Sequence, residues 1–98
     1  MGISITVQNQ VHEKIEIITG RPSETLEKMI WDAPNGSMMW AIHGHADTMF
    51  NTTQLNAFLD EIAALSPKDD SEQELFAVLR DAAETAIRQR GYLWFSGN

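Results

Sequence analysis

Three features of the chain predict a small α+β fold: a mainly antiparallel sheet of about four strands covered by an antiparallel helix pair, in the order β-β-α-β-α-α-β. Ile3, Ile5 and Val7 alternate with Ser4, Thr6 and Gln8, the period-two pattern of a half-buried strand. Two long stretches, 51–65 and 71–90, carry apolar stripes at helical spacing behind capping signals. Tyr92-Leu93-Trp94-Phe95 then closes the chain with an aromatic run of strong strand propensity. With 98 residues, 1–98 form one domain.

Taken in order, the strand at Ile3–Val7 is followed by Gln8-Asn9-Gln10, which can turn the chain. Ile15 and Ile17 alternate with Lys14 and Glu16, although Val11, Ile15 and Ile18 also fit a helical spacing. The β-branched side chains crowd a helix, so a strand is expected. Gly20-Arg21-Pro22 interrupts it, and Ser23 is a reasonable N-cap for a short helix carrying Leu26, Met29 and Ile30. Ala33-Pro34-Asn35-Gly36-Ser37 is a strong turn signal. The apolar run Met38–Ile42 after it predicts a strand covered on both faces, with Trp40 in the core.

Two devices agree on the next helix start. With Asn51 as N-cap, Gln54 falls where a capping box needs it, and Phe50 and Leu55 have the spacing of a hydrophobic staple. Leu55, Phe58, Leu59, Ile62 and Leu65 form the buried stripe, and Ser66-Pro67 ends it. For the last helix, Ser71 with Glu74 reads as a second capping box, with Asp69, Asp70 and Glu72 complementing the positive helix end. Arg88, Arg90 and Gly91 suit its C-terminus.

Composition narrows the function. Fourteen acidic against seven basic residues give a net charge of −7, which repels phosphate backbones and argues against nucleic-acid binding. Eight carboxylates fall between Asp60 and Glu84 against only Lys68 and Arg80. That concentration reads either as a solvated helical surface or as an electrostatic face for a basic protein partner. No apolar stretch is long enough to span a membrane, and the first residues lack a signal-peptide pattern. The chain has no cysteine, which removes disulfides and thiolate chemistry; small secreted domains usually carry disulfides, so a cytoplasmic location is expected.

His43-Gly44-His45-Ala46-Asp47 puts three metal-ligand types at alternate positions, which on a strand would share one face. Nothing in the sequence assigns a fourth ligand. A polar loop entering the helix at Asn51 explains the same residues, so no metal and no cofactor are expected. No nucleophile elbow, phosphate-cradling glycine loop or carboxylate pair facing across a cleft is present. Trp31, at the end of the short helix before the turn, reads either as core packing or as an exposed interface anchor.

The segment Asp47-Thr48-Met49-Phe50-Asn51-Thr52-Thr53-Gln54, with the aromatic end 92–98, resembles a group of small bacterial proteins sharing Asp-Thr-x-Phe-Asn-x-x-Gln. The resemblance covers the second half of the chain and hardly touches the first 35 residues. His43 and Ala46 depart from that group's usual turn residues. Some of its small acidic members look like immunity proteins that neutralise bacterial toxins. The absence of a catalytic set and the negative charge concentrated over 60–84 point to a non-enzymatic protein-binding module for a basic partner, with Asp69, Asp70, Glu72, Glu74 and Trp31 as its partner-binding residues. What the resemblance implies is that this partner is a bacterial toxin. The alternatives are a small metal-assisted or acid–base enzyme using His43, His45 and Asp47, and a structural homodimer joined by an exposed sheet edge.

Overall fold

A computed structural model describes residues 2–97. Its elements are β1 (Ser4–Gln8), β2 (Lys14–Ile18), α1 (Arg21–Asp32), α2 (Met38–Ala41), β3 (Asp47–Phe50), α3 (Thr52–Ala64), α4 (Asp70–Arg88) and β4 (Tyr92–Ser96). The predicted α+β fold and element order hold, with the short helix α2 added. The four strands form one antiparallel sheet in the order β2-β1-β4-β3, so the first and last strands of the chain are its centre. Among the described residues, no helix is long and apolar enough to cross a membrane.

One face of the sheet is covered by helices. Ile5 and Val7 of β1, Leu93 and Phe95 of β4 and Phe50 of β3 join Leu26, Leu55, Phe58, Leu75 and Leu79 in a single core. Phe50, Phe58 and Phe95 meet at centroid distances of 5.3–6.2 Å in tilted and edge-on geometries, the arrangements that aromatic quadrupoles favour. Helix α4 lies between α1 and α3 and packs on both, using Ala82, Ala83 and Ala86 against the core. The other face carries Ser4, Thr6 and Gln8, with Trp94 and Tyr92 half-buried beside them and no helix above.

Residues 11–19 resolve in favour of a strand. Asn9 makes the turn: its side-chain oxygen accepts from Val11 N and Glu13 N, and His12 takes the left-handed conformation at φ 66°. At the other end of the sheet, α1 begins at Arg21 behind Gly20, whose φ of 81° favours glycine. Pro22 sits in the first turn, where its missing N–H is harmless. Ser23 is therefore inside the helix, not its cap. Its hydroxyl donates to Ile3 O and fastens α1 to the strand entering β1.

Two further expectations are corrected. Met38–Ala41 is a helix, capped by Ser37, whose Oγ accepts from Trp40 N at 3.0 Å. The third strand is instead Asp47–Phe50, because its backbone pairs with Leu93, Trp94, Phe95 and Ser96 of β4. For α4, the N-cap is Asp69, accepting from Glu72 N at 2.9 Å, and Ser71 lies within the helix. Glu72 Oε1 in turn accepts from Lys68 N at 3.0 Å. The Asn51–Gln54 capping box forms as expected, with reciprocal bonds of 2.9 and 3.0 Å.

Candidate functional site

Leu26 and Ile30 turn the buried stripe of α1 toward the sheet, so Trp31, one residue on, points outward from the last turn. Across a shallow depression, α2 repeats the arrangement: Met39 is buried and Trp40 faces solvent. Trp31 is 68% exposed and Trp40 51% exposed. These are high values for the side chain that gains most from burial. The expectation that Trp40 lies in the core is therefore overturned. It rested on a strand, and in a one-turn helix Met39 takes the inward position instead.

The depression between them holds about 310 Å³ and is floored by Ile30, Ala41 and Ile42, with His43 and His45 on its rim. His45 packs against Trp31 at a ring-centroid distance of 6.2 Å, tilted by 60°. Gly44 passes beside Ile30 and Trp31. The loop is held at both ends. His43 N donates to Thr48 Oγ1 at 2.9 Å, and Gly97 N donates to Ala46 O at 3.1 Å. A Cβ on Gly97 would stand 2.6 Å from the Gly44 backbone, so glycine is what lets the end of β4 close on this loop.

His43, His45 and Asp47 are not brought together. Residues 43–46 form a loop rather than a strand, so the alternation that would align them does not apply. Asp47 opens β3 opposite Ser96, while His45 turns to Trp31. Among the described residues, no group of three His, Asp or Glu side chains could hold a metal ion.

The acidic residues lie elsewhere. Asp69 and Glu72 line a separate cleft of about 420 Å³ between α1 and the start of α4, floored by Met29, Met39 and Phe76. Both carboxylates are engaged with backbone N–H groups there. Glu74 pairs with Arg21 of α1 at 3.6 Å. Asp70 is exposed in the first turn of α4. Trp31 shares a depression with none of these four. Sequence reasoning missed Trp40 because the apolar run 38–42 masks the cap at Ser37.

No family model matches this sequence, and neither a curated protein nor a solved structure is significantly similar to it.

Proposed function

We propose that this protein is a non-enzymatic protein-binding module, anchored on its partner through Trp31 and Trp40. The observation that carries this reading is the pair of solvent-facing tryptophans flanking one depression. Tryptophan is the residue most enriched at binding hot spots, because it removes a large rigid area from water for few torsions. The chain's charge of −7 selects the partner's sign: a basic protein, such as a bacterial toxin with a cationic substrate channel. Asp69, Asp70, Glu72 and Glu74 act as a steering field. Three of them are already bonded within the chain, which leaves them as charge rather than as contact groups.

Pull-down from the native cell tests the proposal. A basic partner is expected on the parent protein, less of it at high salt, and little on a folded Trp31→Ala/Trp40→Ala variant. Retention of the same partner by that variant overturns the assignment of the anchor. A neutral or acidic partner overturns the electrostatic part.

A further inference from the structure

The helix-free face of the sheet carries a row across all four strands that is apolar on three of them, with the buried Thr6 between. Ile17 of β2 pairs with Thr6, Thr6 with Trp94, and Trp94 with Met49, so these four side chains stand side by side. Ile17 is 56% exposed, and Met49 and Ile15 are exposed as well. Charge is nearly absent here in an otherwise acidic protein. Among the outward-facing strand positions only Lys14 and Asp47 are charged, one of each sign. Lys14 stands level with Gln8 and Tyr92 on one edge strand; Asp47 stands level with Ser4 and Ser96 on the other. They are diagonal corners of the face.

We propose that this face binds a second copy of the chain across a two-fold axis lying in the interface. The corners are about 14 Å apart across the strands, from three spacings of ~4.8 Å, and about 13 Å along them, from four residues at ~3.3 Å. The diagonal therefore runs near 45° to the strands. A two-fold perpendicular to it sets Lys14 of each copy over Asp47 of the other. It also crosses the two sets of strands at nearly a right angle, one of the two arrangements that packed sheets adopt. The Trp94 side chains meet close to the axis, the central position where anchors contribute most.

The β2 edge of the sheet is blunted against docking. β2 has a bulge at Ile15, between the pairs Val7–Glu16 and Gln8–Lys14, and Glu16 points to the helix-covered side. A bulge and an inward charge are the devices that block edge-to-edge pairing. With corners only about 14 Å by 13 Å apart, the face falls short of the roughly 800 Å² per partner of a standard stable interface, so the dimer is weak and forms at high protein concentration. This inference does not depend on the tryptophan anchor proposed above.

Sedimentation equilibrium of the full chain, from roughly 10 µM to 1 mM, tests it by spanning the affinities such small interfaces reach. A monomer–dimer equilibrium is expected. Ile17→Lys, at an exposed site, should abolish it without changing the thermal melt. Lys14→Asp and Asp47→Lys should each weaken self-association by roughly tenfold, since two attractive contacts become repulsive. Mixed together, these two single variants restore attraction at both corners and should form a heterodimer about as readily as the parent forms its homodimer. A chain that stays monomeric throughout overturns the proposal, as does a dimer indifferent to Ile17→Lys. If the single variants weaken association but their mixture does not recover it, the two-fold arrangement is wrong. Loss of a basic partner's binding on Ile17→Lys, with the protein monomeric throughout, would give the face to that partner instead.

Discussion

Glu61 on α3 holds α2 by its first turn: Oε1 lies 2.7 Å from Met38 N and Oε2 2.9 Å from Met39 N. A single carboxylate thus satisfies two of the N–H groups that any helix start leaves open. It does so from a neighbouring helix 22 and 23 residues further along the chain. The contact fixes the orientation of a one-turn helix that has little cohesion of its own. Trp40 owes its outward placement to it.

Replacing Glu61 with Ala should therefore cost about 2 kcal/mol, the scale of charge-assisted hydrogen bonds lost from a half-buried site. Gln, which keeps one acceptor, should cost less. The Trp40 indole N–H resonance should shift or broaden in Glu61→Ala, while that of Trp94 on the opposite face stays put. Unchanged stability and spectra would mean that α2 is held by Ser37 and Met39 alone.

At Asn51 and Gln54 the two side chains cap one helix end reciprocally. Asn51→Ala should cost about 1 kcal/mol, and up to about 2, in denaturant unfolding. Gln54→Ala should cost less, and the double variant less than the sum, because either change breaks the same box. Additive losses would show that the two bonds act independently.

The start of α4 discriminates between two caps that look equally good in sequence. Asp69→Ala should cost about 1 kcal/mol, and Ser71→Ala should stay within about 0.5 kcal/mol. Equilibrium unfolding of the two variants decides. The reverse ranking would move the helix start two residues along the chain.

How much was legible follows from which interactions are local. The Asn51 cap, the strand β1 and the stripes of α3 and α4 are short-range patterns, and they appear where the sequence places them, except that Leu65 is the exposed C-cap of α3 and that Thr6 and Gln8 of β1 are buried as well. The segment 38–50 departs from the sequence expectation because its conformation is set from a distance. Glu61 supplies the bonds that make Met38–Ala41 a helix, and β4 supplies the pairing that makes Asp47–Phe50 a strand. Met-Met-Trp-Ala-Ile fits a buried strand and an amphipathic turn equally well until its neighbours are known. The candidate site inherited that ambiguity: Trp31 was visible as an anchor on its own helix, but its pairing with Trp40 depends on α2.

Gly91 is needed for its size. A Cβ there would lie 1.9 Å from Gln8 O, in the backbone of the central strand, which cannot move without breaking the pairing of β1 with β4. Gly91→Ala should lower stability by roughly 2–3 kcal/mol, at the upper end for overpacking. A variant with parental stability would mean that the α4–β4 connection can shift as a unit.

The last prediction separates the anchor from the steering field by kinetics. Once a basic partner is in hand, Trp31→Ala and Trp40→Ala should each raise the dissociation rate, by about thirtyfold for a loss of about 2 kcal/mol. The association rate should scarcely change, because an uncharged side chain contributes little to long-range attraction. Neutralising Asp69, Asp70, Glu72 and Glu74 together should do the opposite, slowing association at low salt with little effect on dissociation. Two of those changes also remove the bonds at the start of α4, so the comparison must be made well below the unfolding temperature. Raising salt should slow association of the parent and largely erase its advantage over the neutralised variant, because exposed charges are screened within about 8 Å at physiological ionic strength. If the acidic changes act mainly on dissociation, the carboxylates touch the partner directly, and the binding surface extends from Trp31 to the start of α4.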